Sequence, residues 1–390
     1  MYEPMLSETM KAAKNAARKR PRIGLDLHVA DGIYQGSRTH CLELFSRVVA
    51  AMPECDFVVL SASPERLSRF SANFTLRNVS LVAMQHVSPA KRLLWQLPQL
   101  AKQYQFDLLH TQYIVPPFSP CQTAVTVHDI LFESHPEYFD RLFVLRSHLM
   151  VPRSVRQSAE VFTVSDFSRR QICEMYGVKN DKVHTILNGV DTSRFFPGME
   201  GRNVADELGL ASGQYFLTVG RLEPRKNHVN LLRAWAKLGE PRPRLAIVGQ
   251  RHFGYNEALA LVSSLHLEQS VVVLENVSDE QLPAIFRHAK AFVYCSMAEG
   301  FGMPVLEAMA SGIPVISSAT TALAEVCSEA ALLVDPENIE DISNAIRKLG
   351  DDLDMRQDLT RRGLDRVKGF TWESTAAVVA KTYRRHFGLT

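Results

Sequence analysis

Short runs of apolar and β-branched residues recur along the first half of the chain, separated by segments in which apolar residues repeat at helical spacing. The runs lie at 23–27, 57–61, 81–84, 108–110, 124–127 and 161–164. Uninterrupted apolar runs of this length are typical of parallel strands that are buried on both faces of a sheet. The helical segments between them, such as 39–52 and 168–176, complete a pattern of βαβ units. The first half therefore predicts an α/β domain with a parallel sheet.

The second half repeats this pattern and predicts a second α/β domain. Its apolar runs lie at 216–219, 245–248, 271–274, 292–295, 315–317 and 332–334. A length of 390 residues also exceeds the roughly 250–300 that one hydrophobic core usually serves. We place the break after the turn signal N-G-V-D at 188–191, with a linker near 192–210. The predicted divisions are a basic N-terminal extension at 1–22, a first domain at 23–200, a second domain at 201–370, and a C-terminal helix at 371–390 that can pack back onto the first domain.

The composition is that of a folded globular protein, with 46% hydrophobic and 22% charged residues. A formal net charge of +2 provides no overall field that would favour nucleic acid as a partner. The six cysteines are scattered, without a C-x-x-C pair or zinc-like spacing, which predicts reduced thiols in a cytoplasmic protein. No stretch has about 18 largely apolar residues in a row, so we expect no membrane span.

The N-terminal extension is more basic than the rest of the chain. It contains six basic residues, Lys11, Lys14, Arg18, Lys19, Arg20 and Arg22, against Glu3 and Glu8. Two interpretations are open. Such a segment can lie on an anionic membrane surface, where each basic residue is worth about 1 kcal/mol. It can also be a solvated extension, which is the more frequent state of chain ends.

The segment 299–312 combines glycines with two carboxylates after a predicted strand. Gly300 and Gly302 precede an apolar helix and let backbone amides approach a ligand closely. The positive end of that helix favours an anion such as a diphosphate. Glu299 precedes the loop, and Glu307 follows the first helical turn, where it can accept hydrogen bonds from a ribose diol. The alternative is a tight turn with two solvated glutamates.

The segment 220–227 is also suited to phosphate, because it directly follows the strand predicted at 216–219. Loops at the carboxyl edge of a parallel sheet are where open α/β folds bind ligands. Arg221 offers a fork of donors and Lys226 a compact charge, so together they can neutralise a diphosphate without a metal. The alternative is a solvated basic turn, but its occurrence with the glycine segment favours a phosphate site.

These segments resemble family 4 of the retaining glycosyltransferases, which have the GT-B fold. The motifs that carry the resemblance are the two glutamates around G-F-G at 299–307, the G-R-L-x-P-x-K segment at 220–226 and the N-G-V-D turn. The first half adds H-D-I at 128–130 and V-S-D-F-S-R at 164–169. The implied fold is α/β, with two Rossmann-like domains whose parallel sheets face a central cleft. Within the family, the chain resembles bacterial mannosyltransferases of cell-surface polysaccharide assembly.

The resemblance implies a role for each matching residue. Glu299 matches the glutamate that contacts the donor sugar near its 3- and 4-hydroxyls, and Glu307 matches the one that holds the nucleotide ribose. Arg221 and Lys226 match the pair that binds the diphosphate. His128 matches the histidine of the first domain that reaches across the cleft to the transferred sugar.

The resemblance also implies contacts from three loops. The loop that binds the diphosphate through its backbone consists of Gly300, Phe301, Gly302 and Met303. Related enzymes carry a pair of adjacent glycines after the first strand, in a loop that approaches the diphosphate and the acceptor. Here Gly32 and Gly36 are spaced apart, and Gly36 is the better candidate for the contact with the diphosphate. The nucleobase is expected near Asn276 and Val277, and these residues do not distinguish guanine from uracil.

Other motifs are absent or out of place. Asp352 and Asp354 match the acidic metal motif of the other major glycosyltransferase fold, but they lie in a charged helical stretch with no preceding strand. The chain has no G-x-x-x-x-G-K-[ST] loop and no G-x-G-x-x-G after its first strand, which disfavours a nucleotide triphosphatase or a classical dehydrogenase. We therefore expect no bound metal or cofactor.

The expected function is retaining, metal-independent transfer of a hexose to a hydroxyl of a glycan or lipid-linked oligosaccharide in O-antigen or other polysaccharide synthesis. The expected partners are the nucleotide-sugar donor, with GDP-mannose favoured, the acceptor glycan and, at the periphery, the cytoplasmic face of the inner membrane. The alternatives are a sugar-nucleotide epimerase or other GT-B enzyme, and a non-catalytic protein that binds sugar nucleotides.

Overall fold

A computed structural model describes residues 20–31, 36–85, 87–252 and 254–389. Most of the basic extension predicted at 1–22 and Gly32 of the first loop lie outside the described residues. Within these residues the chain forms two all-parallel β-sheets flanked by helices, which confirms the predicted α/β fold. None of the described helices is both long and apolar enough to cross a lipid bilayer.

The described strands form a seven-stranded and a six-stranded sheet. The first has the order β3-β2-β1-β4-β5-β6-β7 and the second β10-β9-β8-β11-β12-β13, so both follow the Rossmann pattern. The strands are β1 Arg22–Asp26, β2 Asp56–Ser61, β3 Val79–Ala83, β4 Leu108–Gln112, β5 Gln122–Thr126, β6 Glu160–Thr163, β7 Val183–Thr185, β8 Tyr215–Val219, β9 Arg244–Val248, β10 Val271–Leu274, β11 Ala291–Tyr294, β12 Val315–Ser318 and β13 Leu332–Val334.

Helices connect these strands and cover the sheets. They are α1 Gly36–Ala51, α2 Pro64–Phe70, α3 Pro89–Lys91, α4 Leu97–Gln103, α5 Leu131–Ser134, α6 Arg141–Gln157, α7 Asp166–Tyr176, α8 Arg202–Glu207, α9 His228–Ala236, α10 Asn256–Ser264, α11 Leu282–Arg287, α12 Met303–Ala310, α13 Thr321–Cys327, α14 Ile339–Asp351, α15 Leu353–Val367 and α16 Trp372–Phe387. The apolar run of β2 is uninterrupted because both faces of this strand are buried. Phe57 and Val59 pack in the core beneath α1, while Val58 and Leu60 pack in the core on the opposite face.

Each of the predicted strands is present within two residues of its expected position, but β7 was not predicted. It has only three residues, Val183-His184-Thr185, of which only Val183 is fully buried. The linker predicted near 192–210 also differs, because it contains α8 and is held to the second domain. Arg287 donates hydrogen bonds to the carbonyl oxygens of Phe196 at 2.9 Å and Glu200 at 2.8 Å.

The chain returns to the first domain at its C-terminal end. α16 packs along α1, with Trp372 and Tyr383 buried in the first-domain core. Arg384 Nε donates to a carboxylate oxygen of Glu54 at 2.7 Å. Gly189 leaves room for this crossing, because a Cβ on it would lie 2.4 Å from the backbone nitrogen of Trp372. The N-G-V-D turn is thus the place where two passages of the chain cross.

Hydrogen bonds join the two domains at the N-terminus of α7. The Glu325 carboxylate, from α13, accepts hydrogen bonds from the amides of Asp166 at 2.9 Å and Phe167 at 2.8 Å. Ser165 Oγ donates to the carbonyl oxygen of Gly300 at 2.8 Å. A carboxylate is favoured at this position because the first amides of a helix lack partners within the helix and carry its positive dipole end.

Candidate active site

Loops at the carboxyl ends of the two sheets meet across a cleft. Asp129, which follows β5, lies against Gly300, which follows β11, and a Cβ on Gly300 would lie 2.5 Å from Asp129 Oδ2. Gly36, at the start of α1, faces Met303, whose sulfur lies 3.5 Å from the position of a Cβ on Gly36. The close approach that Gly300 permits is therefore an approach to the first domain.

The Glu299 carboxylate is the centre of a buried hydrogen-bond network. Lys226 Nζ, the Tyr294 hydroxyl and Ser296 Oγ donate to its Oε1 atom at 2.7, 2.9 and 2.7 Å. Arg225 Nη1 donates to Oε2 at 2.6 Å. Both oxygens of this carboxylate are thus held by the second domain itself.

These contacts determine the ionisation of the network. Burial raises the pKa of Glu299, but Arg225 and Lys226 outweigh burial and lower it to about 2. Burial lowers the pKa of Lys226 from its ordinary value, and Glu299 opposes that shift. Burial also lowers the pKa of Arg225, but Glu299 and Glu223 prevail and raise it. Glu299 and Arg225 are therefore charged at neutral pH, and Glu299 limits the lowering of the Lys226 pKa.

Arg225 is a residue that the sequence analysis missed. Its guanidinium donates to the Ala298 carbonyl oxygen at 2.8 Å as well as to Glu299 and Glu223. It therefore ties the basic turn after β8 to the segment after β11. The sequence signal was present, because Arg225 stands in the same basic segment as Arg221 and Lys226, but the spacing alone does not show which cation faces a carboxylate.

Arg221 differs from its neighbours in having an unsatisfied donor. Its Nη2 atom is buried and has no hydrogen-bond partner among the residues that the structure describes. A buried guanidinium nitrogen without an acceptor costs free energy, roughly 1–3 kcal/mol for an ordinary polar group and more for a charged one. A phosphate oxygen is the kind of acceptor that would complete it.

The glycine loop presents the N-terminus of α12 without a side-chain cap. Gly302, the N-cap residue, has a φ of +107°, and a Cβ there would lie 2.4 Å from Leu323. Phe301 is buried and its ring packs against Phe370 at 6.0 Å between centroids. Pro304 occupies the first turn, as predicted. The absence of a side-chain cap and the positive end of the helix dipole suit this loop to an anion.

Glu307 lies on α12, away from the Glu299 network. It is 9% exposed, and no hydrogen bond to its carboxylate occurs within the described residues. Burial raises its pKa to about 7, with Arg194 lowering and Asp279 raising it. A buried carboxylate without donors is suited to hydroxyl groups supplied by a ligand.

His128 lies on the first-domain side of the cleft in a cluster of neutral side chains. Its Nε2 atom donates to Gln112 Oε1 at 3.0 Å, and its ring lies 4.6 Å from that of His40. His40 Nδ1 in turn donates to Asn188 Oδ1 at 2.7 Å. Burial lowers the pKa of His128 well below its ordinary value, and His40 adds to the shift. His128 is therefore neutral and keeps Nδ1 as a hydrogen-bond acceptor.

The expected nucleobase region lies at the loop after β10. Asn276 is exposed, and Val277 packs against the second-domain core. Arg38, in the first turn of α1, approaches Asp279 of this loop, with 3.9 Å between Nη1 and Oδ2. The loop therefore faces the first domain beyond Gly36.

Comparisons with known proteins identify the family. The model for Glycosyltransferase Family 4 matches residues 34–194, and that for Glycosyl transferases group 1 matches residues 206–366. The O-antigen chain mannosyltransferase B of Escherichia coli is 31% identical over 316 residues, which cover 80% of this chain and 82% of that protein. The chain belongs to family 4 of the glycosyltransferases.

Two further proteins resemble this glycosyltransferase. The O-antigen chain mannosyltransferase RfbU of Salmonella typhimurium is 30% identical over 228 residues, or 58% of this chain and 60% of that protein. The solved structure of sucrose-phosphate synthase from Thermosynechococcus elongatus superposes with a TM-score of 0.76 at 21% identity, covering 95% of this chain and all of that one. The latter likeness supports the GT-B fold.

The glycosyltransferase fold brings some of the predicted site residues together and leaves others apart. Glu299 and Lys226 are in direct contact, and Arg221 belongs to the same turn as Lys226. His128 is not in direct contact with Glu299 or Lys226 within the described hydrogen bonds and ion pairs, and its neighbour Asp129 packs on Gly300. The acidic pair at 352–354 has a structural role at the start of α15, where Asp352 accepts a hydrogen bond from the amide of Met355 at 2.8 Å.

Proposed function

We propose that this glycosyltransferase is a retaining, metal-independent mannosyltransferase. It transfers mannose from GDP-mannose to a hydroxyl of a glycan or lipid-linked oligosaccharide in the synthesis of a surface polysaccharide. The names of the two bacterial relatives, both O-antigen chain mannosyltransferases, support the sugar and the type of product.

The unsatisfied Nη2 atom of Arg221 is the observation that carries the proposal. Breaking the bond between the sugar and the diphosphate leaves negative charge on the phosphate oxygens, and donors already aimed at that charge supply most of the catalysis. Arg221, Lys226 and the uncapped N-terminus of α12 are such donors. In our proposal they perform the neutralisation that a metal ion performs in other transferases.

Donor binding changes the partner of Lys226 in this scheme. Lys226 Nζ now donates to Glu299 Oε1, and the diphosphate competes for that ammonium group. Arg225 remains on Oε2 and keeps Glu299 ionised when Lys226 turns to the phosphate. Tyr294 and Ser296 remain on Oε1, and the position that Lys226 leaves accepts a hydroxyl of the donor sugar, which is the role that the family resemblance gives to Glu299.

The acceptor proton has no strong protein base in this proposal. Glu299 has a pKa lowered to about 2, and His128 is neutral with its Nε2 hydrogen directed at Gln112. We therefore assign the proton to the departing phosphate oxygen, on the same face of the sugar that the acceptor hydroxyl attacks. His128 contributes Nδ1 as an acceptor that orients a hydroxyl of the transferred sugar.

A panel of GDP-sugars and UDP-sugars, screened by thermal shift, tests the donor. A ligand at about 100 times its dissociation constant adds about 2.7 kcal/mol of stability, and we expect the largest shift with GDP-mannose. A larger shift with a UDP-sugar would contradict the proposed donor.

The anomeric configuration of the product, read by NMR, tests retention, since an inverted product excludes attack on the same face. Activity should persist in EDTA, and a loss that Mn²⁺ or Mg²⁺ restores would overturn the proposal of metal independence.

A further inference from the structure

Large apolar side chains are exposed along one line of α6. Leu142, Leu145 and Leu149 are 76%, 59% and 65% exposed. Their spacings of three and four residues place them on one face of the helix, and we call these three leucines the α6 stripe. The opposite face anchors the helix, with Val151 and Val155 buried in the first-domain core. Contiguous exposed apolar surface of this kind marks an interaction site.

Two neighbouring segments extend this apolar surface. Phe118 is 79% exposed and lies beside α6, since Arg153 donates at 3.5 Å to the carbonyl oxygen of the residue that precedes it. Leu94 and Trp95 are 59% and 52% exposed. The buried side of their segment shares a hydrophobic core with Met150 of α6. Three neighbouring segments of the first domain thus expose large apolar side chains.

The polar positions of this face are basic. α6 contains no aspartate or glutamate, and its cations are Arg141, Arg146, Arg153 and Arg156. Its remaining titratable group, His148, pairs with Glu133 at 2.8 Å. Lys91 stands 5.5 Å from the ring centre of Trp95. The nearest preceding carboxylate, Asp140, is occupied in capping α6. Exposed leucines flanked by cations are the pattern of helices that lie in a membrane interface.

We infer that the α6 stripe and its flanking arginines bind the surface of an anionic lipid bilayer. The leucines and Trp95 enter the boundary between headgroups and acyl chains, while the arginines contact phosphate groups of the headgroups. A second copy of the chain is a less suitable occupant. A two-fold interface would bring the same arginines of both copies together, and the helix has no carboxylate to offset them.

This surface is distinct from the cleft but belongs to the same domain as His128. α6 follows β5, whose carboxyl end carries His128, so an enzyme resting on α6 holds its first domain at the membrane. That the acceptor is lipid-linked rests on the proposed function. Such an acceptor would then reach the first domain without leaving the bilayer. The inference about α6 itself does not depend on the identity of the donor sugar.

Sedimentation of the full chain with lipid vesicles tests the inference. We expect binding to vesicles of two parts phosphatidylcholine and one part phosphatidylglycerol, and little binding to phosphatidylcholine alone. The double variant Leu145→Gln, Leu149→Gln should bind at least about tenfold more weakly, because two leucines no longer enter the interface. Leu353→Gln is the matched control, since Leu353 is 56% exposed at the start of α15 in the other domain, and its binding should equal that of the wild type.

A charge variant separates the two components of the surface. Arg141→Gln, Arg146→Gln should weaken binding to the anionic vesicles by roughly 25-fold, at about fivefold for each cation. Equal binding of the wild type and the leucine variant would overturn the inference, as would no binding of the wild type to anionic vesicles. Loss of a dimer from the leucine variant in size-exclusion chromatography, without any vesicle binding, would show an interface between copies instead. Transfer to a short soluble acceptor should be unchanged in these variants, which separates a failed membrane contact from a failed assignment of activity.

Discussion

The two sides of the cleft hold their polar groups in opposite ways. On the second-domain side, both oxygens of Glu299 accept hydrogen bonds, and Arg225 and Lys226 supply the opposing charges. In the cluster around His128 on the first-domain side the side chains are neutral, and two of their nitrogen atoms, His40 Nε2 and Gln112 Nε2, are buried without partners among the described residues. The Glu299 network is charged and its carboxylate is saturated, whereas the cluster around His128 is neutral and incomplete. Arg221 Nη2 and Glu307 lie outside the Glu299 network and are not saturated within the described part of the chain.

This difference indicates that the two domains have different roles in binding the substrates. A saturated network of charges is rigid before the donor arrives, so it can stabilise developing charge without rearranging first. An unsatisfied buried donor or acceptor costs roughly 1–3 kcal/mol, and it is tolerated where a ligand supplies the missing partner. We infer that the second domain provides the electrostatic field and that the first domain is completed by hydroxyl groups of the sugars.

The largest effect should come from breaking the charged side. Lys226→Ala removes a cation aimed at the departing phosphate, and we expect kcat to fall by about 100-fold. Arg221 and α12 remain in this variant and account for the residual activity. Initial rates of nucleotide release at saturating donor measure the change.

A lysine outside the cleft provides the control for that substitution. Lys237→Ala removes a half-exposed ammonium group whose partner is Glu340 at the start of α14, and it should leave the rate unchanged. Near-wild-type turnover by a correctly folded Lys226→Ala protein would disprove the phosphate role. The corresponding change at Glu299, Glu299→Ala, should lower transfer by at least about tenfold.

The neutral side should be less costly to break and insensitive to pH. His128→Ala removes an acceptor for the donor sugar, and we expect kcat to fall by roughly 10- to 100-fold. Because burial depresses the pKa of His128 well below its ordinary value, the wild-type rate should show no titration of this histidine between about pH 6 and pH 8.

The conservative variant His128→Gln tests whether hydrogen bonding carries the effect. It retains an acceptor oxygen and should recover part of the rate that His128→Ala loses. A bell-shaped pH profile near neutrality that disappears in both variants would show that His128 ionises during the reaction, and would contradict the neutral character of this side.

The charged side was easier to predict from the sequence than the neutral side. Glu299 and Lys226 lie in short segments whose glycines and cations have few structural explanations, so the sequence assigned both to one candidate site, and the structure places them in contact. Arg225 was missed because a second cation in the same turn gives no signal of its own. His40 was missed because its partner, Asn188, is 148 positions away. Contacts of that kind depend on how α1 packs beside the crossing of the chain, which hydrophobic periodicity does not encode.

The fold was predictable for a related reason. A strand buried on both faces is usually rich in apolar residues, and that preference is visible in the local sequence. β7 was missed because only one of its three residues, Val183, is apolar. The edge strands β3 and β13 are no better buried, but they have apolar runs and were predicted. A strand is therefore recognised from its apolar run, whatever its final burial.

Glu307 should give a smaller effect, on donor affinity. It differs from Glu299 because it is a carboxylate of the second domain without a counter-charge in contact. Burial raises its pKa to about 7. A ribose diol donates to the ionised form, so donor affinity should weaken by about tenfold from pH 8 to pH 6. Isothermal titration calorimetry across this range measures it, and Glu307→Gln should flatten the profile. An unchanged slope in that variant would assign the titration to another group.

The same shift predicts the pH dependence of stability without donor. The folded protein binds the proton of Glu307 more tightly than the unfolded chain does, because its pKa is raised. Its contribution to the free energy of unfolding is therefore present below about pH 4.5 and is lost as the pH rises through about 7, by at most about 3 kcal/mol. Chemical denaturation of the wild type and Glu307→Gln should converge at low pH and diverge above neutrality, with the variant more stable.

The smallest expected effect concerns the hydrogen bonds between Glu325 and the first amides of α7, which join the two domains. Glu325→Gln keeps the shape of the side chain but removes the charge at the N-terminus of α7, which is worth about 0.3–1 kcal/mol. Since the bond joins the domains and touches no reacting group, we expect KM for the donor to rise about two- to fivefold with kcat unchanged. Glu329→Gln, at an exposed position four residues further on, is the control and should leave KM unchanged. A fall in kcat with KM unchanged would mean that Glu325 orients the charged side itself, and the two sides would then be coupled more closely than their separate hydrogen-bond networks indicate.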